Sequence, residues 1–391
     1  MVMIITMNAP ADRRLYAPYL EAGWGFKNHW YPALFSHELG AGAVKGVELL
    51  GVPILLRRAG GQVYALHDRC LHRGVKISLK PTCFTDSTVS CWYHGFTYDL
   101  ASGKVVTIVA APDDKLIGHA KLRTFPVLEQ QGMIFVFVGD PEFAPPPPLA
   151  DDLPIKPDGY KFRSAHFLDD NAVILGIRRT AASNWRLGVE NSFDPGHQLI
   201  HQDAKFVVAV KANVTLGYKP IGPEAVQTFE GDGPKGILNR YDLGAYEKVL
   251  ENEVLGLRSK FKETYQFSGR RTSAFLPGVL MVENFPDPKM TQFEWFVPID
   301  DRRHEYWSVI AAWCADETER EEFRYRYEKY FEPLILGEFN DQDIFAREAM
   351  QHFYANGGWE KEQLCVLDTS VVQWRKVAAR YNRGIQPPLA G

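Results

Sequence analysis

The sequence predicts an α+β chain made of two units: a small β-rich antiparallel domain, then a larger mixed domain of antiparallel sheet and helices. Three observations predict it. Residues 28–140 break into short apolar runs, among them VELLGVPILLRR, STVSCWYHGFTYDL and MIFVFVGD, separated by Gly, Asp and Pro turns. The segment PEFAPPPPLADDLP at 141–154 is a stiff, proline-rich connector. Beyond it, residues 316–332 and 337–354 are charged, aromatic-spaced and free of turn residues apart from Pro333 and Gly337, which is helical patterning. The boundaries read as 28–145 for the first domain and 1–27 with 146–391 for the second.

Taken in order, residues 11–23 make a short helix interrupted by Pro18. Gly60-Gly61 and Ser102-Gly103 are hairpin turns, because glycine takes the positive φ that tight turns demand. Residues 183–203 read as strand and then helix, and 206–299 alternate as strands between Pro and Gly turns. A last helix covers about 367–381, ended by GIQPP.

Composition excludes several classes. The 44 basic and 48 acidic residues leave a net charge of −4, so there is no broad basic field for nucleic acid. The longest apolar runs, such as Met133 to Val138, fall far short of the ~20 residues that span a bilayer. The opening MVMIITM lacks a basic leader and is not read as a signal peptide. Five cysteines in 391 residues are no disulfide scaffold, which points to a reducing, cytoplasmic setting. Cys83, Cys314 and Cys365 stand alone and read as ordinary buried thiols.

The other two cysteines belong to a motif. Cys70-x-His72 is followed, eighteen residues later, by Cys91-x-x-His94. A [2Fe–2S] cluster takes four ligands from two approaching loops, and in its Rieske form two His replace two Cys on one iron. Structural zinc also accepts Cys₂His₂, but zinc fingers pair Cys with Cys and His with His. Here each pair is mixed and the setting is β-rich, so the Rieske cluster is the stronger reading.

A second constellation lies in NWRLGVENSFDPGHQLIHQD at 184–203. His197 and His201 are four apart, which puts both imidazoles on one face of a helix. Asp194-Pro195 is a plausible start for that helix, with Asp as cap and Pro in the first turn. Two His and one carboxylate make the facial triad of non-haem Fe(II) oxygenases, with open positions for oxygen. Alone, two His four apart are weak evidence. Beside an electron-carrying cluster they make sense as the place the electrons go. The carboxylate must come from elsewhere, and GEFNDQDIFAREAM at 337–350 offers Glu338, Asp341, Asp343 and Glu348 without distinguishing among them.

These residues resemble the Rieske non-haem iron aromatic-ring-hydroxylating oxygenase α subunits. The similarity runs through FKNHWYPALFS, DRCLHRGVKISL, CWYHGFTYDL, SNWRLGVENSFDPGHQLIH, LPGVLMVENFPDPKMTQFEWFVPID and FNDQDIFAREAM. The last three segments are similar to the branch of the family that acts on carbazole. The resemblance implies a β-rich Rieske [2Fe-2S] domain plus a mixed catalytic domain of helix-grip, START-like form. It implies Asp343 as the third Fe(II) ligand, with Asp341 as the fallback. It gives Asp194 a bridging role, linking His197 to the cluster ligand His94 of another chain, and hence implies a homotrimer. It further implies electrons from NADH, reaching this chain only indirectly through a ferredoxin reductase and a ferredoxin. Arg69, Arg73, Lys76 and Lys80 are basic residues that could meet an acidic ferredoxin, with Trp359 near the same surface.

For the carbazole branch, the implied reaction is angular dioxygenation with O2, giving 2'-aminobiphenyl-2,3-diol. A flat apolar substrate needs an apolar slot with few polar groups. Candidate wall residues are Ser192, Phe193, Phe285, Gln292 and Phe339, with the backbone carbonyl near Ser192 a candidate acceptor for the carbazole N–H. Relatives tend to carry Gly where Ser192 stands. The alternatives are a Rieske-type monooxygenase or O-demethylase, a dioxygenase of another arene, a pure electron carrier and a zinc-dependent binding module.

Overall fold

The computed structural model describes residues 13–143, 145–155, 164–194, 196–209, 219–220, 226–242, 251–252, 257–258, 270–287 and 289–388. The apolar opening segment, Pro195 and most of the stretch between 210 and 269 lie outside them. One compact unit comprises Phe26–Pro147, and the other runs over Pro148–Ile385 together with the stretch ending at Gly25.

The first unit holds ten short strands: β1 (His29–Phe35), β2 (Val44–Leu49), β3 (Val52–Ala59), β4 (Gln62–His67), β5 (Thr88–Ser90), β6 (Phe96–Asp99), β7 (Val105–Ile108), β8 (Thr124–Phe125), β9 (Val127–Gln130) and β10 (Met133–Val138). They form three antiparallel sheets, ordered β1-β10-β9, β2-β3-β4-β8 and β5-β6-β7. Gly60 and Gly61, at φ 56° and 80°, make the two-residue turn that pairs Ala59 with Gln62. The core beneath the last sheet contains Leu66, Ile77, Phe96, Tyr98 and both motif cysteines.

The second unit is organised by a large antiparallel sheet. Its strands are β11 (Ala172–Ala181), β12 (Lys219–Pro220), β13 (Val226–Phe229) and β14 (Gly236–Asp242), then β17 (Arg270–Phe275), β18 (Val279–Glu283), β19 (Thr291–Pro298) and β20 (His304–Trp313). A small hairpin, β15 (Glu251–Asn252) with β16 (Leu257–Arg258), stands apart. The sheet order is β11-β20-β19-β18-β17-β14-β12, with β13 also on β14. β19 is buried at every position, polar residues included. Both faces of its centre are therefore covered, and polar side chains there need internal partners.

The helix Trp185–Phe193 begins at Asn184, whose side-chain oxygen accepts the Arg186 backbone N–H. It lies close against the sheet at Gly188, where an added Cβ would stand 2.3 Å from Phe296 Cδ1. Gly188→Ala is expected to cost about 1–3 kcal/mol through overpacking. Urea unfolding of the variant checks it.

Three sequence expectations change. Residues 183–203 are not strand then helix: the Trp185–Phe193 helix comes first, and His197–His201 follows as a 3₁₀ helix. Asp194 closes the first helix, its N–H bonded to Glu190 O, and its side chain accepts from Gly196 N–H in an Asx turn. That local bond competes with a regular α-helical start. Pro333 does not break the C-terminal helical segment. Glu317–Arg326, Tyr327–Phe339 and Asn340–Phe353 run on as one, with the middle section in wider π turns. A π section accommodates the missing proline N–H and the crowding of the preceding turn. Finally, Cys314 is buried, but Cys83 and Cys365 are exposed, because both lie in short loop segments between elements.

Candidate metal centres

The cluster motif sits on two loops built alike. In one, Cys70 N–H donates to Val75 O and Gly74 N–H returns to Cys70 O; in the other, Cys91 N–H donates to Phe96 O and Gly95 N–H returns to Cys91 O. Gly74 and Gly95 sit at φ 69° and 72°, so each loop turns back through a left-handed glycine. The thiols of Cys70 and Cys91 are buried, and burial together with the Cys70 neighbour raises the Cys91 thiol. His72 and His94 bring their Nδ1 atoms to 3.0 Å of each other, with ring centroids 4.5 Å apart. Two buried sulfurs and two converging Nδ1 atoms are the donor set of a mixed-ligand diiron cluster.

Tyr98 reinforces it. Its hydroxyl lies 3.2 Å from Cys70 Sγ and accepts the Leu71 N–H at 3.1 Å. A hydrogen bond to a ligand sulfur stabilises the more electron-rich cluster, so Tyr98→Phe is expected to lower the reduction potential. A redox titration followed by EPR checks the direction. Among the basic residues near the loops, Arg69, Arg73 and Lys80 are exposed, and Lys76 pairs with Glu48 at 3.5 Å. Trp359 packs within the catalytic unit, under Arg186 at 4.3 Å and beside Tyr354 and Tyr19.

The second constellation gathers His197, His201 and Asp343, with ligand atoms all within 4.8 Å of one another. His197 Nε2 lies 3.7 Å and His201 Nε2 3.5 Å from Asp343 Oδ1. Each imidazole is anchored through its other nitrogen: His197 Nδ1 to Asp194 O, and His201 Nδ1 to Gln342 Oε1 at 3.0 Å. Anchoring Nδ1–H in this way leaves the Nε2 lone pair for a metal. His201 Nε2 is buried without a hydrogen-bond partner among the described residues, an unmet acceptor that a metal satisfies. Burial pushes the His197 imidazolium down to about 4, which keeps it neutral. Burial would raise the Asp343 carboxyl, but His201, Arg347 and His197 together hold it well below the usual carboxylate range. A neutral His197 imidazole beside a charged carboxylate suits a ferrous ion.

The other acids of that helix are elsewhere. Asp341 pairs with Arg179, Glu338 accepts the Lys205 backbone N–H, and Glu348 accepts that of Ala182. Asn340, Asp343 and Arg347 form the buried face, while Phe345 is 76 % exposed. Asn191 Nδ2 donates to Asp343 Oδ1 at 2.7 Å, tying the carboxylate to the Trp185–Phe193 helix.

The triad opens on a cleft of about 440 Å³, counting the space open to solvent, whose lining includes Ser192, Phe285, Gln292 and Phe339. Phe339 stacks on His201 at 3.7 Å between centroids, and Phe285 lies 5.9 Å from Phe339. Phe193, the last residue of its helix, is buried and is not among the residues lining the cleft. Asp194 is half-buried, and burial pushes its carboxyl up to about 6.

Sequence reasoning missed a buried polar network at the cleft floor. Glu294 Oε1 accepts from Gln292 Nε2 and Tyr306 OH; Arg347 Nη2 donates to Ser192 Oγ at 2.5 Å and stacks on Tyr306 and Phe296. Burial raises the Glu294 carboxyl against the pull of Arg347. The available signal was the spacing 340, 343, 347, a polar stripe at helical period opposite an apolar Phe345.

An iron–sulfur electron site and a two-His, one-carboxylate site in one chain define a Rieske non-haem iron oxygenase. Residues 29–126 match the Rieske [2Fe-2S] domain, and residues 137–386 match the family described as homotrimeric ring hydroxylase. The chain belongs to this ring hydroxylase family, and a Rieske cluster and a mononuclear iron are its cofactors. It is 41% identical to the terminal oxygenase component of carbazole 1,9a-dioxygenase from Metapseudomonas resinovorans, over 95% of this chain and 94% of that one. It is similar to the solved 2-oxoquinoline 8-monooxygenase component at 48% identity and a TM-score of 0.88, covering 99% of this chain and 92% of that one. It is also similar to the oxygenase of the reduced oxygenase–ferredoxin complex in carbazole 1,9a-dioxygenase, at 39% identity and a TM-score of 0.81, covering 99% and 97%. No described helix is long and apolar enough to cross a membrane.

Proposed function

We propose that this chain is the terminal oxygenase of a multicomponent system that hydroxylates a fused N-heteroaromatic ring, with angular dioxygenation of carbazole to 2'-aminobiphenyl-2,3-diol as the first reading. The observation that carries it is the triad of His197, His201 and Asp343 opening on a cleft walled by Phe285 and Phe339. The 41% identity to a carbazole 1,9a-dioxygenase component over nearly the whole chain supports the substrate. A specific observation favours a second reading, monohydroxylation of a bicyclic lactam: the 48% identity to the 2-oxoquinoline 8-monooxygenase component.

When bound, a ferrous ion with open coordination positions supplies dioxygen activation, and the cluster supplies single electrons. The chain's own residues do the rest. Asp194 O and Gln342 Oε1 aim the two imidazoles, and Asn191 holds the carboxylate. Phe285 and Phe339 exclude water and hold a flat ring against the metal face. Asp194 accepts from Gly196 N–H through Oδ1. We assign its carboxylate a further bond to His94 of the partner subunit, as the homotrimeric family implies. Residues 28–145 then form the electron-receiving domain, and 1–27 with 146–391 the catalytic one. A ferredoxin is the donor, consistent with the oxygenase–ferredoxin complex of a relative, and a reductase draws on NADH. Five free cysteines favour a reducing cytoplasm.

The test is turnover with ferredoxin and reductase under ¹⁸O₂, on carbazole, dibenzofuran, dibenzo-p-dioxin, naphthalene and 2-oxoquinoline. Two labelled oxygens in a carbazole product support the first reading. One labelled oxygen in a hydroxylated 2-oxoquinoline, with carbazole untouched, establishes the second.

A further inference from the structure

The cleft is apolar along Val282, Phe285 and Phe339, and its polar lining includes two deeply buried amides, Gln292 and Asn340. Gln292 is 3 % exposed and commits both amide hydrogens inward: Nε2 donates to Glu294 Oε1 at 3.0 Å and to Ser308 Oγ at 2.9 Å. Asn340, 1 % exposed, repeats the pattern, with Nδ2 donating to Tyr306 OH at 2.8 Å and Ser308 Oγ at 3.1 Å. Tyr306 OH in turn donates to Glu294 Oε1.

The network fixes which way the first amide faces. Reversing Gln292 would set its carbonyl oxygen against the Glu294 oxygen, two acceptors in contact inside a buried site, and would forfeit the bond. Gln292 Oε1 therefore stays on the other side, toward the cleft, where it has no partner among the described residues. Asn340 Oδ1 is likewise without one. An acceptor held toward an apolar slot discriminates strongly. It welcomes a ring N–H or O–H, and it is stranded by an isostere that offers only oxygen or methylene there.

We propose that Glu294 is a positioning residue that locks Gln292 with its acceptor outward, and that the cleft thereby selects heteroaromatic rings carrying an N–H donor over their oxygen isosteres. This rests on the reading of the cleft as the substrate site. Glu294 also borders the cleft, but the role assigned to it runs through its bond to Gln292.

The experiment measures anaerobic binding to the holoenzyme, loaded with cluster and iron, by quenching of intrinsic tryptophan fluorescence. Two isosteric pairs serve as probes: carbazole with dibenzofuran, and 2-oxoquinoline with coumarin. The wild type is expected to prefer the N–H member by roughly tenfold, the worth of one neutral hydrogen bond. Glu294→Gln keeps the bulk but lets the neighbouring amide face either way, and Gln292→Leu removes the acceptor. Both are expected to bring the ratio close to one while the oxygen member still binds. A merely structural role would weaken both members of a pair equally and leave the ratio unmoved. An undiminished ratio in Glu294→Gln therefore overturns the proposal. A wild-type ratio near one also overturns it, while binding of the arenes leaves the functional reading standing. Failure of the wild type to bind any of the four sinks both.

Discussion

Asp343→Asn yields a chain that keeps the visible absorption of its cluster and loses its mononuclear iron. The amide is the same size and can still accept the Asn191 hydrogen bond, so the helix stays where it is. What disappears is the charge that the two imidazoles and Arg347 hold in its ionised form. A neutral oxygen is a poor ligand for a ferrous ion, and removing even a supporting partner of a ligand costs metal affinity by roughly 10–100-fold. Iron per chain, measured after desalting, should fall by at least about tenfold, and turnover should fall with it. Asp341→Asn is the control. That carboxylate is paired with Arg179 away from the triad, so iron content should hold.

Arg375→Met is expected to destabilise the catalytic unit by about 3–5 kcal/mol, the usual consequence of stripping one partner from a buried ion cluster. Arg375 bonds Glu190 at 2.9 and 2.7 Å and Glu362 at 2.5 and 3.0 Å, and its side chain is 1 % exposed. The variant leaves two carboxylates facing each other in the core. The pH dependence follows from Glu190. Burial already raises its folded-state pKa above the ordinary value of 4.5, and Arg375 opposes that rise. Without the guanidinium the folded-state pKa climbs further. A raised carboxyl binds its proton more tightly folded than unfolded, so stability is lost as pH rises from about 4.5 through the folded value. The deficit should thus be smaller near pH 5 than near pH 8, as read from denaturant midpoints at both. Glu190 precedes Asn191, so loosening this cluster also loosens the hold on Asp343.

The candidate metal ligands were legible because coordination chemistry constrains residue type and spacing directly. His72 and His94 bring their Nδ1 atoms together and Cys70 and Cys91 lie in one buried cluster, although no periodicity could say that their two loops share one hydrogen-bonding plan. His197 and His201 meet, but on a 3₁₀ turn. The Asx bond at Asp194 decided that, and local side-chain competition of this kind leaves little trace in hydrophobic pattern. Glu294 and Gln292 were harder. On β19 they alternate with Phe293 and Trp295, which reads as a half-exposed strand, yet the whole strand is buried. Their polarity reflects a cleft floor, and only the tertiary arrangement reveals that the alternate face meets a network rather than water. Arg347, on the same helix as Asp343, is fully buried for the same reason.

The wide π section at Tyr327–Phe339 works like a register gear set just ahead of Asp343. Each residue in a regular helix turns the chain by about 100°. A single-residue deletion that the section failed to absorb would rotate everything downstream by about that angle. Asp343 would swing off the inner face, and the exposed Phe345 side of the helix would swing toward it. The oxygenase is therefore exposed to a kind of mutation that alters no ligand at all: one missing codon in a segment that touches no metal could disconnect the centre.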